Sequence, residues 1–271
     1  MLNMIITIIL LMIENLRVHI APVGFREVKR VTYPLVKMKA DRVYLVTYKP
    51  DDNAKKYFEE VKKELKKQDE RIELKEVYVN IWDLLDCVEE FRKIFEEEKE
   101  KGNQIYFNVS TGSKITAMAG MLVCMIIGGQ PYYAKRDYST SRHEKSNEEE
   151  EVIDIVRLPV LEIRKPKNEH LIVLSIIEKA GGKMRKRELI QELVKLKIIR
   201  PKENSKLTIA AKHSQLRAIL NPLEKEWGYV KVEYSGRRSE VILTEQGKAA
   251  LRIFGVPHKE GKNNVFERSD L

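Results

Sequence analysis

Apolar positions in residues 14–163 alternate between two periods. Leu16–Ala21, Arg42–Thr47, Ile72–Val79, Gln104–Asn108 and Pro131–Ala134 are short apolar or alternating runs and predict strands. Between them, Val28–Lys39, Asn53–Lys67, Leu84–Lys101 and Ser113–Ile127 repeat their apolar residues at intervals of three and four, which predicts helices. Tyr57, Phe58, Val61 and Leu65 share one face of the second helix, whereas the last helix is apolar nearly all round. Strand and helix in this alternation predict an α/β, Rossmann-like domain: a doubly wound, mostly parallel sheet covered on both faces. Val152–Leu161 alternates weakly and adds one more strand. Tyr138–Glu151, ending in four glutamates, reads as an exposed loop.

The pattern changes after Arg164-Lys165-Pro166-Lys167-Asn168, which reads as a linker. His170–Lys179 is a helix ended by Gly181-Gly182, and Lys186–Ile199 is a second, stopped near Pro201. Thr208–Trp227 is a third, with a kink or break expected at Pro222. Tyr229–Tyr234 and Glu240–Leu243 flank Ser235-Gly236-Arg237-Arg238 as a hairpin with a basic tip, and Thr244 caps a closing helix. Three helices, a hairpin and a closing helix make a winged helix-turn-helix. The expected division is an apolar extension at 1–13, the Rossmann-like domain at 14–163, a linker at 164–168, the winged helix at 169–255 and a polar tail at 256–271.

Met1–Ile13 is almost wholly apolar, but a membrane span needs about 20 such residues. It also lacks the basic start and small-residue cleavage site of a signal peptide. Met1–Leu11 reads as a mis-assigned upstream start or a short packing helix, and no membrane association is expected. Cys87 and Cys124 give neither a disulfide framework nor metal-ligand spacing, so no metal or cofactor is expected and a reducing cytoplasm is the simplest setting.

Charge adds a partner. The chain carries a net +9, and residues 166–271, with 22 Lys+Arg against 13 Asp+Glu, hold all of it. Such asymmetry points to a polyanion, here duplex DNA. A recognition helix presents polar and basic side chains outward. With Ile209, Leu216 and Leu220 facing inward, Thr208, Lys212, His213, Gln215 and Arg217 are the outward candidates. Arg237 and Arg238 at the wing tip suit phosphate or minor-groove contact. The alternative is a solvated face on a module that binds protein.

The stretch Asn108-Val109-Ser110-Thr111-Gly112-Ser113-Lys114 joins a strand to the apolar helix. Free amides and the positive dipole end of a helix make such a loop an anion site. Asn108, Ser110, Thr111 and Ser113 add short donors, Lys114 a charge, and Gly112 a sharp turn. Capping alone needs one such residue, not five. If the first and fourth strands flank the switch point, Pro22-Val23-Gly24-Phe25-Arg26 faces this loop across one crevice. Val23, Gly24 and Phe25 then join Asn108, Ser110, Thr111, Gly112, Ser113 and Lys114 as ligand-binding candidates. Phe25 and Tyr133 could stack on a base, although core packing is the simpler expectation. Trp82 and Trp227 read as packing anchors and His19 as a structural strand histidine. Asn108 and Ser113 stand where a phosphate-binding Walker A loop requires glycines, so nucleoside triphosphate hydrolysis is not expected.

Together, the Asn108–Lys114 loop, the Pro-Val-Gly-Phe loop and the C-terminal winged helix resemble the CARF-domain (CRISPR-associated Rossmann fold) transcriptional regulators, over roughly residues 16–254. The family loop reads N-x-[ST]-[GS]-G-[TS]-[KR]; here Thr111 replaces the frequent first glycine. The resemblance implies a homodimer with one symmetric pocket that binds a cyclic oligoadenylate. A twofold pocket suits cyclic tetra-adenylate. Some archaeal proteins of this build have no CRISPR link, which leaves a related nucleotide open.

Two enzymatic readings stand beside the regulator. Some CARF proteins carry a ribonuclease with Arg-x4–6-His on a helix. Arg136…His143, Arg164…His170 and Arg252…His258 match by spacing, but the first pair lies in a polar loop and the others span a proline. The other reading is slow ring cleavage, with Lys114, Ser110 and Thr111 stabilising attack of a 2′-hydroxyl on the adjacent phosphate.

Overall fold

The computed structural model describes residues 15–48, 52–136, 152–201, 206–235 and 238–255. The predicted N-terminal extension, the 138–151 loop, Arg237 and the polar tail lie outside these residues. The chain divides into two compact units, Met1–Arg164 and Lys165–Leu271.

The first unit is built in the order β1 Arg17–Pro22, α1 Val28–Lys37, β2 Arg42–Thr47, α2 Asp52–Gln68, β3 Glu73–Tyr78, α3 Leu84–Glu100, β4 Gln104–Asn108, α4 Lys114–Val123, β5 Gln130–Arg136 and β6 Val152–Arg157. The six strands lie in the order β3-β2-β1-β4-β5-β6. β1 to β5 run parallel, and β6 closes the edge antiparallel to β5. This is the Rossmann-like sheet the alternating pattern predicts, with strand order reversing between β1 and β4.

Burial follows position. In β1 and β2 every residue but the first is buried, as expected for central strands covered on both faces. Edge strand β3 buries only Val77. Val28, Val31 and Leu35 of α1 and Phe58, Val61 and Leu65 of α2 pack with Ala21, Val43 and Leu45 of the sheet. α4 is shorter than its apolar run. From Cys124 to Gly128 the helix continues as a five-residue π-helical segment, and the chain then enters β5. Both cysteines are buried, and burial pushes the thiol of Cys87 up to about 11 and that of Cys124 up to about 12.

A polar network closes the end of the sheet away from the β1–β4 loops. The wholly buried Glu98 carboxylate accepts from Arg42 at 2.8 and 3.0 Å, from the Tyr44 hydroxyl at 2.6 Å and from Asn103 at 2.6 Å. A buried charge persists when its lone pairs are satisfied in this way.

The second unit contains α5 Asn168–Lys179, β7 Lys183–Arg185, α6 Lys186–Lys195, α7 Ile209–Lys225, β8 Val230–Ser235, β9 Arg238–Leu243 and α8 Glu245–Phe254. Its strands pair antiparallel in the order β7-β9-β8. Val173, Leu174, Ile177, Leu189, Leu193, Leu216, Leu220, Leu223 and Val241 form its core, with Trp227 packed against it. This is the winged helix expected from the sequence, with two differences. The three-residue β7 is too short to leave a periodic signal. Pro222 does not break α7; it stands in the last turn, where its missing N–H costs the helix a single bond. Among the described residues no helix is long and apolar enough to cross a membrane.

Three side chains depart from expectation. Trp82 is 68% exposed and Phe25 is 63% exposed, so neither packs in the core. Both sit in loops that follow strands, where no second layer covers them. Ile209, expected to face inward, is 75% exposed because α7 turns Leu216, Ile219, Leu220 and Leu223 to the core and leaves its first turn outside.

Candidate ligand crevice and nucleic-acid interface

β1 and β4 are neighbours in register, with Ile20 beside Phe107. Their C-terminal ends therefore release two loops side by side, the place where open α/β sheets bind ligands. Gly112 turns its loop with φ +77, and a Cβ there would strike Pro22. A Cβ on Gly24 would stand 3.3 Å from the Gly112 Cα, so the loops touch glycine to glycine.

The residues singled out in the sequence divide into two groups. Asn108 is fully buried and builds the loop. Its Oδ1 accepts from the Ser110 amide at 3.0 Å and from the Ser110 hydroxyl, and its Nδ2 donates to the Arg30 carbonyl at 3.0 Å. Ser113 caps α4, with Oγ accepting from the Thr116 amide at 3.0 Å and donating to the Ile81 carbonyl at 3.0 Å. That second bond draws the β3–α3 loop, with its exposed Trp82, toward the crevice loop. Val23, Ser110 and Thr111 are buried. Gly24 and Gly112 are half-buried, and Phe25 and Lys114 reach the surface. Phe25 meets Tyr57 edge-on, centroids 5.8 Å apart. Among the described residues neither the Lys114 side chain nor the amides of Lys114 and Ile115 have a partner. A lysine beside the open, positive end of a helix is suited to an anion.

Sequence reasoning missed Glu27 and Arg30. Glu27 Oε2 accepts from the Gly112 amide at 2.8 Å, and its Oε1 pairs with Arg30 at 2.9 Å. Arg30 also donates to the Ser110 carbonyl and lies 6.0 Å from the Tyr133 ring centroid. Burial raises the Glu27 pKa against the opposing pull of the Gly112 amide and Arg30. The available signal was an acid and a base three apart at a helix start, just after a glycine loop. His19 stacks on Tyr106 with centroids 4.7 Å apart, and its Nδ1 is 3.3 Å from the Tyr132 hydroxyl. Burial, with Arg17 adding to it, lowers its pKa to about 3, so it is a neutral core group.

In the second unit, Thr208 caps α7 by accepting from the Ala211 amide at 3.2 Å. Gln215 is held on the Arg200 backbone, accepting from its N–H at 3.2 Å and donating to its carbonyl at 2.9 Å. Its amide is therefore occupied in fixing the α6–α7 connection. Ile209, His213 and Arg217 are exposed at successive four-residue steps and form one outward stripe, with Lys212 half-buried at its side. Arg238 opens β9, and its side chain, like Arg237, lies outside the described residues. Beside the wing, Lys186 Nζ stands 4.5 Å from the ring of the exposed Tyr234. Of the Arg–His pairs, His143 and His258 lie outside the described residues, and Arg164 precedes the helix that carries His170.

Comparison with known proteins gives relatives for both units. An uncharacterized protein of Archaeoglobus fulgidus is 28% identical over 208 residues, covering 75% of this chain and 83% of that protein. An uncharacterized protein of Methanocaldococcus jannaschii is 31% identical over 200 residues, covering 63% of this chain and 59% of that one. Two solved structures resemble the chain at low similarity. Enterococcus italicus Csm6 bound to cyclic hexa-2'-fluoro-hexa-dAMP has 13% identity and a TM-score of 0.43 over 79% of this chain and 56% of its own. Can2 from Sulfobacillus thermosulfidooxidans in complex with cyclic tetra-adenylate has 15% identity and a TM-score of 0.36 over 88% and 64%. Residues 17–138 match the family model described as HFX_2341_N-like, N-terminal, and residues 169–255 match the DUF6293 C-terminal winged helix domain. The chain thus joins an HFX_2341_N-like N-terminal domain to a DUF6293 winged helix domain.

Proposed function

We propose that this protein is a cytoplasmic, ligand-responsive DNA-binding regulator. The observation that carries this reading is the crevice at the β1–β4 switch point, where Lys114 and the open amides of α4 stand above two touching glycines. The ligand class comes from the motif resemblance: a cyclic oligoadenylate, with cyclic tetra-adenylate as the ring that suits a twofold site. The site residues are Gly24, Phe25, Gly112 and Lys114 at the surface, supported from beneath by Val23, Asn108, Ser110, Thr111 and Ser113. A second copy of the chain completes the pocket. Met118 on α4, one turn beyond Lys114, is 56% exposed, and Trp82 and Leu84 are exposed nearby in sequence to the Ser113–Ile81 bond. These apolar groups suit a homodimer contact beside the ligand.

The winged helix supplies the output. The excess of +9 over residues 166–271 and the Ile209–His213–Arg217 stripe support contact with duplex DNA. Ring cleavage draws less support, since the Ser110 hydroxyl is held on Asn108 and that of Thr111 is buried.

Calorimetric titration with a panel of cyclic oligoadenylates, followed by DNA binding with and without the best ligand, tests the reading. Binding of one ring that returns intact and alters DNA affinity is expected. Linear products favour a ring nuclease, and DNA binding that ignores salt removes the regulator.

A further inference from the structure

The amide that the crevice loop offers to an anion is already taken. Glu27 Oε2 accepts from the Gly112 N–H at 2.8 Å, and the Gly24 amide also acts on the same carboxylate, so each facing loop lends it a backbone N–H. Its other oxygen meets Arg30 at 2.9 Å, and Arg30 reaches on to the Ser110 carbonyl. The Glu27 side chain is only 16% exposed. Arg30 Nε and the hydroxyl of Thr111, the residue before Gly112, are buried polar atoms without a partner among the described residues. Two amides and a guanidinium around one anionic group are the partners a bound phosphodiester takes. A carboxylate and a phosphodiester also match in kind: each carries one negative charge over two free oxygens. The exchange of one for the other leaves the charge of the crevice floor unchanged.

We propose that Glu27 is an intramolecular stand-in for a phosphodiester of the ligand: binding displaces its carboxylate from Gly24, Gly112 and Arg30, and those groups then hold a ligand phosphate. This rests on reading the crevice as a nucleotide site. Two consequences follow from the geometry. Glu27 lowers the apparent affinity, because the ligand meets an occupied cradle. Its departure is also felt by α1, since Glu27 immediately precedes Val28 and its carbonyl accepts from the Val31 amide at 3.0 Å.

Titration of the full chain with cyclic tetra-adenylate tests the proposal in wild type, Glu27→Gln and Glu27→Ala, each checked for folding by thermal melting. Loss of one charged competitor is expected to tighten binding by about tenfold or more. The Glu27 carboxyl-carbon NMR resonance of the wild type supplies a measurement that needs no substitution, and it is expected to move on ligand addition. Wild-type binding that neither variant tightens, with an unmoved carboxyl signal, overturns the role of Glu27 alone. No binding by any of the three folded proteins overturns the nucleotide reading beneath it.

Discussion

Asn108 Nδ2 donates to the Arg30 carbonyl at 3.0 Å across 78 residues of sequence, and the other face of the same amide holds Ser110. One buried side chain therefore fixes the β4–α4 loop to helix α1. Asn108→Ala leaves the Arg30 carbonyl and the Ser110 amide without a partner in a buried setting. A loss of about 2 kcal/mol or more is expected, from the desolvation of two orphaned groups. Denaturant unfolding of the variant checks this, with ligand affinity expected to fall as the loop loosens. Unchanged stability with lost binding would instead make Asn108 a direct ligand contact.

Lys114 is the opposite case, exposed and without a partner among the described residues. Lys114→Ala is expected to change stability by no more than about 0.5 kcal/mol, the range of surface substitutions. Ligand affinity is expected to drop about tenfold or more, as when a charge that faces an anion is removed. DNA binding without ligand should hold. A matching fall in ligand-free DNA affinity would show that the two units do not divide the work.

The contrast between Asn108 and Lys114 shows how far the sequence was legible. Strand order and switch point follow from the alternation of periods, because central strands such as β1 and β2 are buried on both faces and read as apolar runs. The loop Asn108–Lys114 was legible as a set of residue types. The division of labour within it was not, since a donor that binds a ligand and one that binds a neighbouring carbonyl look alike in one dimension. Glu27 was missed for a related reason. Its partner Gly112 is distant in sequence, and only the pairing of β1 with β4 brings their loops together. Ile209 misled because an apolar residue near a helix start predicts core, whereas the core here begins at Leu216.

The recognition helix separates positioning from contact. Arg217 is exposed on the stripe, whereas Gln215 is held on Arg200. Arg217→Ala is expected to weaken binding to duplex DNA and reduce the log–log salt slope by about 0.9, the share of one phosphate contact. Gln215→Ala should leave that slope in place and instead lower the melting temperature of the winged helix, since the Arg200 N–H and carbonyl lose their partner. Equal salt slopes in wild type and Arg217→Ala would remove Arg217 from the interface.

His19 gives the N-terminal unit a pH dependence of its own. Buried against Tyr106 and Tyr132, its pKa falls from the ordinary 6.5 to about 3, first through burial and then through Arg17. In the unfolded chain it titrates near its ordinary value. Between those limits the unfolded chain binds a proton that the folded one refuses, so acid favours unfolding. The stability present above pH ~6.5 is lost as pH falls toward 3, and by pH 5 the deficit from this residue is roughly 2 kcal/mol. Carboxylates such as Glu98, held below their ordinary range by Tyr44, Asn103 and Arg42 despite burial, act at lower pH. His170, also lowered by burial, belongs to the second unit and is untouched by a substitution at His19. His19→Phe keeps an aromatic ring beside Tyr106 and removes the proton site. Unfolding free energies at pH 7 and pH 5 should therefore differ by about 2 kcal/mol less in the variant than in the wild type. Identical differences would mean that His19 takes up its proton inside the folded sheet.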